Sequence, residues 1–359
     1  MEAYWQWLCS SLFYDPGLAH RLVKMYGSPG EVYLRKEEEL QKAFPGKEGC
    51  IASLCGSRAS WSFEQEQERL KRQDIRFVSF EHPEYPKKLR NLTDAPCGLF
   101  FRGELPEEKK PAAALVGARD CTAYGSNGAR WFARELAGAG VQIISGMARG
   151  VDGAAHRGAL EAGGASFGVL AGGVDICYPE SNRDIYMELE QRGGILSEAP
   201  PGVRPLRHYF PLRNRILSGL SDMVLIIEAR QKSGSLITAD YGLEQGKEVY
   251  ALPGPVGSAL SEGCNRLIQQ GAGIALSPEQ LLEELHILPG IQGKKKKKNK
   301  ISLERSENLV YSCLRLQAQN LETICGETGL APGEVLRVLS GLQIKGHAKE
   351  VYKNYYTRT

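Results

Sequence analysis

The sequence predicts an extended Rossmann-like α/β body with a doubly wound, mostly parallel sheet. A small helical region precedes it and a winged-helix-like region follows. Three observations carry this. Seven short apolar runs recur between Pro111 and Ser277 with helical stretches between them: AAALVGA, VQIISG, SFGVLAG, GGILSEA, MVLIIEA, EVYALPG and AGIALS. Runs apolar on both sides of the pleat suit buried parallel strands, and strand–helix alternation is the mark of a doubly wound sheet. In addition, 26 of the 41 glycines fall in that interval, clustered at strand ends where backbone turns tightly or approaches a ligand. The last 55 residues return to helical spacing and end on a strand-like HAKEVYKNYYTRT, three short helices and a hairpin.

Taken in order, residues 1–74 carry helix-like segments such as LAHRLVKMYG and FEQEQERLKRQ, broken by Gly27, Pro29, Pro45 and Gly46, and read as a small helical (SAM or helix-hairpin-helix-like) domain. Residues 75–290 form the body, entered through two strand-like pieces, IRFVSF and GLFFRG. Residues 291–304 contain KKKKKNK and read as a basic linker, since such a run cannot bury a core. Residues 305–359 are the winged-helix-like domain.

The charge balance narrows the partners. Lys+Arg 45 against Asp+Glu 42 gives +3, but residues 294–359 hold 13 basic and 6 acidic side chains, so +7 sits there and −4 in residues 1–293. A near-neutral body with a basic tail hints at a polyanionic partner. No apolar run approaches the length of a membrane span, and MEAYWQWLCS lacks the pattern of a secretory signal. Nine cysteines without zinc spacing read as reduced thiols, which with the missing signal implies a cytoplasmic protein; no metal or cofactor is expected.

The loops that follow the strands hold the candidate chemistry. In VGARDCTAYG, Gly117 ends a strand, Arg119 adds a fixed charge, and Thr122 caps a helix whose first amides form an anion site. In SGMARGVDGAAHRGAL, Ser145, Gly146 and Gly150 offer exposed amides and Arg149 a cation; Asp152 and His156, four apart, read as a helix-surface pair rather than a catalytic dyad. In LAGGVDICYPESNRDIY, Gly172 and Gly173 make room, Asn182 or Ser181 caps a helix, and Arg183 lies in its first turn. A cation there opposes the helix dipole and suits an external anion or plain solvation. FPLRNRILSGLSD places Arg213, Asn214 and Arg215 in one short turn, suited equally to phosphate contact and to internal pairing. EARQKSGSLITAD supplies Ser233, Gly234, Ser235 and Thr238 at another helix start. All these loops follow strand C-termini and so converge on one edge of the sheet, where open α/β sheets bind ligands.

This succession of loops, in order and with its spacing, resembles the DNA-processing protein A family over Ile75 to Leu276. The resemblance implies a Rossmann-like body that binds single-stranded DNA rather than a dinucleotide, protects incoming strands in natural transformation, and loads a RecA-type recombinase on them. It also implies homodimerisation through the C-terminal part of that body. By the same resemblance, Arg119 and Arg183 contact DNA phosphates, the latter often Lys in relatives. Strand binding without sequence preference normally adds aromatic stacking, for which Tyr124, Tyr178 and Phe210 are candidates, core packing being favoured for Phe210. Two other readings stand beside this one. A phosphoribohydrolase-like enzyme would need an acidic residue after a PGGxGTxxE-type turn, but SGSLITAD has none at that spacing, leaving Asp152 and Glu198 as nearby carboxylates. A winged-helix transcription regulator would act on duplex DNA through its tail.

Overall fold

The computed structural model describes residues 1–287 and 305–358, so the expected basic linker lies outside the described residues. Six helices open the chain: α1 (Glu2–Leu12), α2 (Pro16–Tyr26), α3 (Pro29–Leu34), α4 (Glu37–Ala43), α5 (Glu48–Ser57) and α6 (Phe63–Arg72). Their starts are set locally. Asp15, Ser28 and Ser62 accept the amides of Leu18, Glu31 and Gln65, while Pro16 and Pro29 occupy first-turn positions that need no N–H donor. Trp5, Trp7, Leu8, Leu12, Leu22 and Leu54 fill the core of this bundle, and Cys97 from the body completes it. The bundle is stitched to the first strand of the body, because both Glu2 carboxylate oxygens accept from Ser79, one from its amide and one from its hydroxyl, each at 2.7 Å.

The body runs β1 (Arg76–Ser79), α7 (Lys87–Arg90), β2 (Gly98–Gly103), β3 (Ala112–Val116), α8 (Ala123–Gly138), β4 (Gln142–Ser145), α9 (Val151–Glu161), β5 (Ser166–Val169), α10 (Arg183–Arg192), β6 (Gly193–Ser197), α11 (Tyr209–Leu220), β7 (Met223–Ile226), α12 (Gly234–Glu244), β8 (Glu248–Ala251), α13 (Glu262–Gln269), β9 (Gly273–Ile274) and α14 (Pro278–Glu284). All seven expected strands form as β3 to β9, and the two entry pieces are β1 and β2. The nine strands lie in the order β1-β2-β6-β5-β4-β3-β7-β8-β9. From β6 to β9 every pairing is parallel, while β1 and β2 join antiparallel at one edge.

Period-two alternation sends each parallel strand into two cores. Ala112, Ala114 and Val116 of β3 and Val224 and Ile226 of β7 face Ile216, Leu217 and Leu220 of α11 and Ala239 of α12. Ala113, Leu115, Met223 and Leu225 face the opposite layer, with Phe132 and Leu136 of α8 and Val151 and Ala155 of α9. The chain winds outward from β3 through β4, β5 and β6, then returns to β7 on the other side of β3. Connections leaving β3 and β7 therefore diverge, and the crevice between them is the topological switch point.

After the undescribed stretch come α15 (Arg305–Cys313), β10 (Gln319–Asn320), α16 (Leu321–Thr328), α17 (Pro332–Ile344), β11 (Ala348–Tyr352) and β12 (Tyr355–Arg358), with the strands in the order β10-β12-β11. Val310, Ile324, Val335, Leu339 and Tyr356 make its core. No helix among the described residues is long and apolar enough to cross a membrane.

Helices α8 and α9 pack closely because Gly158 faces the α8 backbone: a Cβ there would lie 2.2 Å from the Arg130 carbonyl oxygen. Gly158→Ala must push the helices apart, and a loss of about 1–3 kcal/mol is expected. Urea denaturation at neutral pH measures it; an unchanged midpoint would contradict the packing argument.

Candidate nucleic-acid interface

At the switch point a cleft of about 290 Å³ opens between the loops after β3 and β7 and the start of α11. Arg119, Arg213, Arg230 and Lys232 supply its cations, Asp120 and Asp152 its carboxylates, and Ser233, Gly234, Ser235 and Thr238 the start of α12. Gly117 and Asn214 also line it. A second cleft of about 270 Å³, lined by Arg149, Tyr178, Pro179 and Ser181, shares Arg119, Ala148 and Phe210 with the first. The two form one groove along the C-terminal edge of the sheet.

Arg119 and Phe210 set the character of that groove. The Arg119 guanidinium lies 4.7 Å from the Phe210 ring centroid, and the Tyr178 ring is 6.1 Å from Phe210 at 58°. Arg119, Arg149 and Lys232 are exposed and make no ion pair among the described residues. Phe210 is thus part of the groove wall, not core, contrary to the favoured sequence reading. The Tyr124 ring, by contrast, turns away: its hydroxyl donates to the Pro253 carbonyl at 2.6 Å, it packs on the α8–α9 core, and it lies outside both clefts.

Several expected contacts are made inside the protein instead. FPLRNR is helical, not a turn, so residues two apart point in directions about 200° apart. Arg215 accordingly points into the interior at 1% exposure, pairing with both Glu198 oxygens at 2.8 and 2.9 Å and with Asp94 at 2.9 Å. Burial pushes the Glu198 carboxyl up to about 7 against the pull of Arg215. Arg213, 6% exposed, donates from Nη1 to the Val169 carbonyl, and its guanidinium sits where a side chain on Gly146 would otherwise be. Burial lowers its pKa to about 10, so it remains a cation at neutral pH.

Asn214 Nδ2 donates to the Gly234 carbonyl at 3.1 Å and so ties α11 to the start of α12. Asn182 makes no cap; buried, it donates from Nδ2 to the Met147 and Ala148 carbonyls at 3.0 Å and fixes the SGMARG loop. Ser145 is fully buried and donates to the Leu115 carbonyl, while Gly172, in the loop after β5, is held against Val203 and Pro205 of the loop after β6. Arg183 begins α10 as expected but lines neither cleft; it is exposed, 3.5 Å from Glu180.

Nor are Asp152 and His156 a surface pair. Both are buried, and Asp152 accepts the Ala148 amide at 3.3 Å. The His156 Nδ1 bonds Ser166 Oγ at 2.8 Å, and burial, with the Arg213 charge behind it, pushes the imidazole down to about 3. The anion site expected at the start of α8 is already filled: Glu228 accepts the Thr122 amide at 2.8 Å and its hydroxyl at 2.6 Å.

Arg230, Lys232 and Asp120 were not singled out in the sequence. Arg230 pairs with Asp120 at 2.7 Å, and the hydrogen bond holds the Asp120 carboxyl below its usual range. EARQKSGS, a basic stretch between a strand and a helix start, carried the signal for Arg230 and Lys232. All nine cysteines are free thiols, and no group of three or more potential metal ligands occurs among the described residues.

Fold and groove define a doubly wound α/β protein with a cationic, partly aromatic groove at the switch point. The sequence profile of the DNA recombination-mediator protein A family matches residues 76–286. The chain belongs to that family. It is 47% identical to Protein Smf of Escherichia coli over 210 residues, a match spanning 57% of this chain and 56% of that protein. Identity to DNA processing protein DprA of Streptococcus pneumoniae is 38% over 243 residues, covering 66% of this chain and 86% of that protein. The crystal structure of S. pneumoniae DprA superposes with a TM-score of 0.67 at 32% identity, covering 79% of this chain and 98% of that one. A structure of DprA from Helicobacter pylori, described for its single-stranded DNA binding mode, gives a TM-score of 0.53 at 30% identity over 60% of this chain and 97% of that one.

The buried charges generate two stability predictions. Arg215→Ala leaves Glu198 buried without its partner and is expected to cost about 3–5 kcal/mol in chemical denaturation; a loss within about 0.5 kcal/mol, the ordinary range for surface changes, would contradict the assignment. His156 is depressed in the folded state, from 6.5 to about 3. Its contribution is therefore full above pH 6.5 and is lost progressively as pH falls toward 3, because only the unfolded chain takes up the proton there. The denaturation midpoint should fall between pH 7 and about 5, and less steeply in His156→Asn. Equal slopes would refute the buried neutral imidazole.

Proposed function

We propose that this chain is a non-catalytic binder of single-stranded DNA that acts in recombination by presenting the strand to a RecA-type recombinase. The observation that carries the reading is the alignment of Arg119 with Phe210 and Tyr178 along one groove, with Arg149 and Lys232 exposed beside it and unpaired among the described residues. Guanidinium and ammonium groups neutralise phosphates, while the exposed ring of Tyr178 offers a face on which a base of any identity stacks. Duplex DNA keeps its bases stacked inward and cannot use the rings. Arg183, exposed and two residues beyond Ser181 of the second cleft, adds a further phosphate contact, as the family resemblance implies, and so does the start of α12 with Ser233, Gly234, Ser235 and Thr238. Likeness to the H. pylori protein, which binds single-stranded DNA, supports the same ligand. Family membership also supports the recombinase partner, a role in natural transformation and a homodimer built through the body.

The phosphoribohydrolase alternative finds its carboxylates committed elsewhere: Glu198 holds Arg215, and Asp152 lies buried opposite Arg213. The regulator alternative is separated from the main reading by its preference for duplex.

In fluorescence anisotropy, the full chain is expected to bind an unstructured labelled oligonucleotide tightly and duplex weakly. Affinity should fall linearly with the logarithm of salt concentration. Arg119→Ala should weaken single-strand binding by roughly 10- to 100-fold, flatten the salt slope by about one charge, and leave thermal stability unchanged. Equal affinity for duplex and single strand would overturn the reading.

A further inference from the structure

The helix starts along the groove edge are not equivalent. At α8 the Glu228 carboxylate fills the space beside the first amides so fully that a Cβ on Gly125 would lie 2.3 Å from its Oε2. The loop before α9 gives its Ala148 amide to Asp152. At α12, an 11-residue helix, the capping groups are the neutral hydroxyls of Ser233 and Ser235, 2.7 Å apart, and the space beside Gly234 is open: nothing lies within 4 Å of a Cβ built there. The positive end of that helix faces the switch-point cleft, and its cap is a neutral serine hydroxyl rather than a carboxylate.

A second observation points to a ligand. Arg213, more than nine-tenths buried, lines the same cleft, and its Nε has no hydrogen-bond partner. Buried donors are rarely left unmade, and a buried guanidinium with an idle N–H is costly unless an acceptor arrives. Lining the cleft are four cations (Arg119, Arg213, Arg230, Lys232) and two carboxylates (Asp120, Asp152), a formal net of +2. An internal phosphodiester carries one negative charge and leaves this balance half-matched. A phosphomonoester carries close to two at neutral pH, its second pKa being about 6, and offers three terminal oxygens to donors on several walls.

We propose that the switch-point cleft is a phosphomonoester site that takes the terminal phosphate of a DNA strand, with the adjoining Arg119–Phe210–Tyr178 groove holding the nucleotides behind it. This deepens the strand-binding reading and rests on it. Arg213 and the α12 start hold the terminal oxygens; Arg230 and Lys232 close over them from the rim. The Asp120–Arg230 pair opens to admit the phosphate, a small cost because both side chains are exposed and a solvated ion pair contributes little.

The test uses the full chain and one oligothymidylate in four forms: 5′-phosphorylated, 3′-phosphorylated, hydroxyl-ended and circular. One phosphorylated end is expected to bind about tenfold tighter than hydroxyl ends at pH 7.5. The advantage should shrink at pH 5.5, where the monoester loses its second charge and the diesters do not. Ser235→Asp places a carboxylate at the α12 start as Glu228 does at α8, without harming the helix, and should abolish the end preference. Thymidine monophosphate and inorganic phosphate distinguish the sources of the group: competition by either extends the site to free phosphates, and competition by phosphorylated strands alone restricts it to strand ends. Equal binding of all four strand forms would overturn the proposal and leave strand binding standing. Binding of thymidine monophosphate with no binding of any strand would instead remove the strand reading while keeping the anion site.

Discussion

One buried cation holds the groove edge together. Arg213 leaves α11, lies flat on Gly146 after β4, donates to the last carbonyl of β5 and faces Asp152 of α9. Two neighbouring strand ends and the start of α9 are thereby fixed relative to α11. Burying a guanidinium costs several kcal/mol unless hydrogen bonds and a counter-charge offset it, so the arrangement tolerates little drift. Gly146 exists in this setting as the absence of a side chain, since a Cβ would sit 2.2 Å from an Arg213 nitrogen. Asn182 and Asn214 extend the same logic, each binding a loop carbonyl of a neighbouring element rather than a ligand. Arg213 and Asn182 together hold still the loop that carries the exposed Arg149.

Placement was more legible in the sequence than role. Strand–helix alternation gave every parallel strand of the sheet, because successive apolar runs separated by helices have few other solutions. The convergence of loops on one edge followed from the parallel topology. Roles failed where a loop turned out to be structured differently. FPLRNR read as a turn would bring Arg213 and Arg215 to one phosphate; as part of α11 the helical period separates them, and each finds an internal carboxylate or carbonyl. Thr122 was legible as the cap of α8, but Glu228, more than 100 residues away in sequence, was not legible as the anion beside it. Long-range pairing of this kind leaves no periodic trace.

Phe210 illustrates the converse. An aromatic residue between a tyrosine and a proline reads as core, yet its neighbours in space are the Arg119 guanidinium and the Tyr178 ring. A cation over a ring face is stabilising at an exposed site by about 0.5–1 kcal/mol. It also pre-positions both groups, the guanidinium resting against the ring instead of on an acidic neighbour. Asp120, next in sequence, is taken by Arg230, which leaves Arg119 free of an ion pair.

The charge arithmetic takes on a different meaning once the fold is known. Of the +7 carried by residues 294–359, residues 294–304 contribute six lysines and one glutamate, or +5, leaving only +2 on residues 305–359. Within the folded tail, Lys345 is paired with Glu307 and Arg315 with Glu327. The winged-helix-like unit is thus close to neutral, and its surface is not a strongly basic one. The body, net −4 over residues 1–293, nonetheless concentrates unpaired arginine and lysine at one sheet edge while its acidic side chains are dispersed or internally committed. At physiological salt, charges more than about 8 Å apart are largely screened from one another. An anion placed in the groove would therefore feel the cations that line it, Arg119, Arg213, Arg230 and Lys232, more than the sign of the body as a whole.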